Sequence, residues 1–146
     1  MDRRDFLKTV AVSGAAMTIQ RSEAMEILTQ AVNSTGKPDL VAVMGDEPEL
    51  MFQRAIAELG GMKQFVKSGQ KVVVKPNIGW DKVPELAGNT NPKLVAEIVK
   101  QCFAAGAKEV TVFDHTCDDW QKCYKNSGIE SAAKAAGAKV MPAHLE

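Results

Sequence analysis

The sequence lacks several features that would point directly to a function. Its 18 basic and 18 acidic residues cancel, so no strong field favours nucleic acid or an anionic membrane. It has no uninterrupted apolar run of about 18 residues, which argues against a stable transmembrane segment. It contains three cysteines and neither a dinucleotide-binding fingerprint nor a Walker phosphate loop. Nucleic-acid binding and membrane spanning are therefore unfavoured.

The remaining composition is that of an ordinary globular protein, with 45% apolar and 25% charged residues. A length of 146 residues fits one small domain with an appendage.

The first 24 residues have the organisation of an export signal. A charged start, Arg3 to Lys8, is followed by an uncharged, mildly apolar stretch, and Ser22-Glu23-Ala24 has the pattern of a cleavage site. Arg3-Arg4 followed by Phe-Leu-Lys resembles the twin-arginine motif, although Asp2 stands where Ser or Thr is preferred. We expect the twin-arginine translocase to be a partner and the location to be periplasmic or otherwise extracytoplasmic. An amphipathic helix packed on the domain is the alternative.

The rest of the chain divides into a polar linker, residues 25–38, and an α/β domain, residues 39–146. Short apolar runs predict strands at 39–44, 71–75, 109–113 and 139–141. Helical periodicity with glycine stops predicts helices at 48–59, 92–105 and 129–136. This alternation indicates a mostly parallel sheet of about four strands with helices on both faces. Because the last strand runs off the end of the sequence, we expect a domain that is incomplete at its C-terminus, or one that needs a partner subunit or a second copy.

Polar loops follow the first three predicted strands, at the edge where doubly wound sheets bind ligands. Lys75 offers a positive charge, and Asn77 offers a donor and an acceptor. Thr90 and Asn91 precede a predicted helix whose first amides favour an anion. We therefore predict that Lys75, Asn77, Thr90 and Asn91 bind a small anionic ligand. The alternative is a structured crossover loop whose polar side chains satisfy their own backbone.

The loop after the third predicted strand carries the other reactive side chains. Asp114 and His115 are the candidate proton carriers if the domain is an enzyme. His115, Cys117 and Cys123, with Asp114, contain metal-ligating atoms, although their spacing fits no standard zinc site. A Cys117–Cys123 disulfide is favoured over metal binding in an oxidising compartment, and a Cys117 nucleophile beside His115 is a third reading.

An ordered series of short motifs over about residues 39–141 resembles a known family. The motifs are Val72-Val73-Val74-Lys75-Pro76-Asn77, Asn89-Thr90-Asn91-Pro92, Ala105-Gly106-Ala107-Lys108-Glu109-Val110-Thr111-Val112 and Ser127-Gly128-Ile129. They resemble the domain of unknown function 362 family, whose members often carry twin-arginine signals and have longer domains. Many members are described as iron–sulfur proteins, but no iron–sulfur motif occurs in this chain. The resemblance therefore does not imply an iron–sulfur cluster here, and it identifies no other cofactor. The resemblance favours Lys75, Asn77 and Asp114 without assigning their roles.

Three functions stay open. The first is binding of, or chemistry on, a small anionic ligand at the carboxyl edge of the sheet. The second is a redox or metal-associated accessory protein. The third is a non-catalytic fragment that needs a partner.

Overall fold

The computed structural model describes residues 38–143. The signal expected in residues 1–24 and nearly all of the linker lie outside the described residues. The helices are α1 (Pro48–Glu58), α2 (Pro92–Ala104), α3 (Trp120–Asn126) and α4 (Ile129–Ala135), and the strands are β1 (Lys71–Val74), β2 (Glu109–Val112) and β3 (Lys139–Val140). Two short 3-10 turns, Met62–Gln64 and Pro84–Leu86, lie between them.

The strands form a parallel sheet in the order β1-β2-β3, which confirms the α/β class. Val72 lies opposite Val110, and Val112 lies between Val74 and Val140. Each pair of parallel strands is joined by a crossover that contains helix, as parallel pairing requires.

The sheet has three strands within residues 38–143, because the segment expected to be the first strand is not paired. Residues 40–44 have no strand geometry, and Leu40 and Met44 are almost fully exposed. Every second side chain of this segment is exposed to solvent. The segment therefore lacks the apolar burial that would offset the entropy cost of ordering a strand. An apolar run of this length does not by itself specify a strand.

The core lies between the sheet and the helices on one of its faces. Val72, Val74, Val110, Val112 and Val140 point to this side. They meet buried residues of α2, α3 and α4, namely Val95, Val99, Cys102, Cys123, Tyr124, Ile129 and Ala133.

The opposite face, with Lys71, Val73 and Glu109, carries no helix in the described part of the chain, and the Val73 side chain is 60% exposed. This differs from the expected two-sided cover. In the order β1-β2-β3 each crossover steps in the same direction, and right-handed crossovers then place their helices on the same face.

The repeated sequence Ala-Ala-Gly-Ala-Lys forms the same turn at both places where it occurs. Gly106 (φ 105°) ends α2 and Gly137 (φ 95°) ends α4. The following Ala107 and Ala138 donate N–H bonds back to Cys102 and Ala133 at 3.0 Å, completing Schellman turns. These turns lead directly into β2 and β3.

Candidate functional site

Lys75 and Asp114 follow β1 and β2 directly and meet at the carboxyl edge of the sheet. Lys75 Nζ lies 2.6 Å from Asp114 Oδ1. The Asp114 side chain is only 5% exposed, whereas that of Lys75 is 62% exposed. The pair therefore places a fixed carboxylate under a lysine whose head group faces solvent.

Backbone N–H groups complete the surroundings of the Asp114 carboxylate. Ile78 N–H donates to Oδ2 at 2.7 Å and His115 N–H donates to Oδ1 at 2.9 Å. Burial of Asp114 raises its pKa, but the hydrogen bonds from Lys75 and Ile78, and the charge of Lys75, outweigh that effect. The net pKa lies below the ordinary aspartate value, so Asp114 is an anion at neutral pH.

Tyr124 is a member of this site that the sequence analysis missed. Its buried hydroxyl accepts the Asp114 N–H at 2.7 Å. Its own proton has two acceptors, the carbonyl oxygens of Asp114 at 2.9 Å and Met141 at 3.0 Å. The ring thus ties the ends of β2 and β3 together. The sequence contains a single tyrosine, and this was its one indication that the residue could have a special role. The helix that carries Tyr124 was not predicted from the hydrophobic periodicity.

Asn77 and Thr90 hold the two ends of the loop between β1 and α2 against each other. Asn77 N–H donates to Thr90 Oγ1 at 2.9 Å, and Thr90 N–H donates to Asn77 O at 3.0 Å. The Asn77 side chain accepts from Gly79 N–H and donates to Gly88 O. These polar groups therefore hydrogen-bond to one another and to the backbone of their own loop, and ligand binding by Asn77 and Thr90 stays a prediction.

Asn91 is the N-cap of α2, and its Oδ1 accepts from Lys93 N–H at 2.9 Å. Pro92 occupies the first turn, as expected from the sequence. Since the cap already binds one of the first amides of α2, the side chain of Asn91 serves the helix.

The second and third polar loops lie side by side, as the parallel topology predicts. Gly79 O accepts N–H bonds from Cys117 at 2.9 Å and Asp118 at 3.2 Å. The Asp118 carboxylate accepts the N–H of Asp81 at 3.0 Å. Lys75, Asn77, Asp114 and His115 are therefore in neighbouring segments of one surface.

A cavity of about 270 Å³ opens against Asp114, on the side of the loop that follows β2. It is lined by Asp114, His115, Thr116, Asp118, Asp119, Trp120 and Ala143. The His115 side chain is exposed, and its imidazole has no hydrogen-bonding or ion-pair partner among residues 38–143. A larger groove of about 550 Å³ lies between α2 and α4 and contains none of the predicted site residues.

The three cysteines are free thiols, so the Cys117–Cys123 disulfide is not present in this structure and stays a prediction. Cys117 is exposed, whereas the buried Cys123 thiol points to Gly79 O at 3.6 Å. Burial raises the pKa of the Cys102 and Cys123 thiols. No three His, Cys, Asp or Glu side chains within residues 38–143 come together as a metal site. The set His115, Cys117 and Cys123 is therefore not assembled for a metal.

Comparison with known proteins gives a family and no further match. Residues 72–145, half of the chain, match the family described as Domain of unknown function (DUF362). No curated protein and no solved structure matches. None of the helices in residues 38–143 has the length and apolar character needed to cross a membrane.

Proposed function

Since this chain belongs to the DUF362 family, whose function is unknown, we propose a role from its own residues: binding of a small anionic ligand at the carboxyl edge of the sheet, with Lys75 as the anchoring cation. The observation that carries this proposal is the Lys75–Asp114 pair, in which a buried carboxylate fixes an exposed ammonium group.

An ammonium group has three N–H donors, and Asp114 occupies one of them. The others are available because the Lys75 side chain is mostly exposed. The charge of Asp114 is shared with the N–H groups of Ile78 and His115, so it does not fully cancel that of Lys75. Fixing the lysine before binding reduces the entropy lost when a ligand is captured.

The two candidate proton carriers divide into different roles. Asp114 is buried and ionised, and both of its carboxylate oxygens are hydrogen-bonded, which suits a group that positions Lys75. His115 lines the cavity with an exposed imidazole, and histidine is the side chain that most often serves as a general acid or base. If the bound ligand is a substrate, His115 is the group that transfers its proton.

The test is a binding titration of the full chain with inorganic phosphate and with citrate as probes, by calorimetry and thermal shift. Lys75→Met should weaken binding about tenfold, because it removes a charge-assisted hydrogen bond. Lys71→Met is the matched control, because Lys71 lies at the other end of β1. Circular dichroism should show both variants folded. Equal affinities for the wild type and Lys75→Met would refute the proposal.

We also propose that the protein is exported by the twin-arginine route, on the support of Arg3 to Lys8 and the mildly apolar stretch behind them. A Cys117–Cys123 disulfide belongs to this proposal, because disulfides persist in oxidising compartments.

A further inference from the structure

The face of the sheet that points away from the helices is open to solvent. It consists of Lys71, Val73, Glu109, Thr111 and Lys139, and the same alternation continues to Phe113 and Met141. We call these seven residues the bare face. Val73 and Met141 are more than half exposed, and no helix of the described chain packs on them. Parallel sheets are ordinarily covered on both faces, so this surface has the character of a docking site.

The size of the bare face limits the kind of partner that can cover it. β1 and β2 are four residues long and β3 is two residues long, so strands about 4.8 Å apart give a surface of at most roughly 10 Å by 13 Å. A stable dimer of globular subunits needs about 800 Å² from each partner, several times this surface. One helix with its side chains is about 10 Å across, and two to three turns of it span the strands.

The charges of the bare face indicate which charge the contacting side chains of a partner should carry. Lys71 and Lys139 stand on the two outer strands, and Glu109 stands between them on β2 and pairs with both. The excess is one positive charge, and two copies placed face to face would repel. The margins of the face therefore suit acidic side chains, while Val73, Phe113 and Met141 offer apolar contact.

We propose that the bare face docks an amphipathic helix of a partner protein, with an apolar stripe over Val73, Phe113 and Met141. Acidic residues on both sides of the stripe lie against Lys71 and Lys139. This inference does not rest on the ligand proposal, because Lys71, Val73 and Lys139 take no part in the Lys75–Asp114 pair.

The test measures binding of two labelled peptides to the full chain by fluorescence anisotropy. Both are helices of about four turns with one leucine stripe, flanked by glutamates in one and by lysines in the other. The glutamate peptide should bind about tenfold more tightly at low salt. Val73→Glu should remove most of that affinity, and Val83→Glu, an exposed valine outside the bare face, should not. The double variant Lys71→Glu, Lys139→Glu should reverse the preference.

Three outcomes would overturn the proposal. The first is that neither peptide binds. The second is that both bind equally and without regard to Val73 or the two lysines. The third is a dimer in sedimentation analysis that Val73→Glu converts to monomer, because the occupant would then be a second copy of this chain.

Discussion

Asp114 is a buried carboxylate held ionised by one ammonium and two backbone N–H groups. Its folded-state pKa is depressed, so it contributes stability above the unfolded-state pKa. That contribution is lost as the pH falls through the folded-state pKa. Without Lys75, two of the effects that lower the pKa of Asp114 are lost while burial still acts to raise it, so that pKa increases.

Lys75→Met should lower the free energy of unfolding at pH 7 by about 1–2 kcal/mol, less than for a fully buried pair because Lys75 is largely exposed. Its acid unfolding should begin at a higher pH than that of the wild type. Urea unfolding at a series of pH values measures both quantities. Lys100→Met removes an exposed lysine that has no ion pair in residues 38–143 and serves as control. Parallel pH profiles for the wild type and Lys75→Met would contradict this account.

For individual residues, the sequence predicts at which edge of the sheet the charged groups lie, but not which of them pair. Lys75 and Asp114 each follow a strand, so parallel topology alone brings them to one edge. Their contact depends on the register of Val74 and Val112, which the sequence does not specify. Tyr124 was missed because its role depends on three backbone atoms of Asp114 and Met141, which lie just beyond the ends of β2 and β3.

Among the elements, the helix-to-strand turn before β2 depends on the left-handed conformation of Gly106. A Cβ at this position would lie 3.1 Å from Ser68 Cα, so an alanine there meets both backbone strain and a close contact. Gly61 has a similar conformation (φ 84°), but a Cβ there would meet nothing within 4 Å. Comparing alanine substitutions at the two glycines therefore separates the cost of backbone strain from the cost of the close contact with Ser68.

Gly106→Ala should reduce the free energy of unfolding by about 2–3 kcal/mol, and Gly61→Ala by about 1 kcal/mol. Denaturant unfolding of both variants under the same conditions measures the difference. If the two variants lose equal stability, the contact with Ser68 has no energetic role.

The elements were predictable where periodicity and stop signals agree. Helices α1, α2 and α4 and strands β1, β2 and β3 lie within a residue of their predicted bounds. Helix α3 was not predicted, because only Cys123 and Tyr124 of its seven residues are buried and the apolar pattern is too sparse. Residues 39–44 have the apolar run of a strand but no paired neighbour.

For the whole molecule, the export proposal is tested with the full chain in a bacterium that has the twin-arginine translocase. Replacing Arg3 and Arg4 by lysine should remove most of the exported protein, measured by fractionation and immunoblotting. Arg21→Lys, a like change outside the motif, should leave export intact. Undiminished export of the double variant would refute the route. A disulfide would make the exported chain two hydrogens lighter than the reduced chain by mass spectrometry.

The strand order of the whole domain has a consequence for how it forms. Within residues 38–143 every strand pairs with the next one along the sequence, as Lys71 does with Glu109 and Thr111 with Lys139. In this part of the chain each strand is paired with a sequence neighbour, so the contact order is low for a parallel sheet, and we expect folding to be fast for this class of fold. Each strand–helix unit can add to the previous one as the chain leaves the ribosome. Early folding of this kind agrees with the twin-arginine export proposed above.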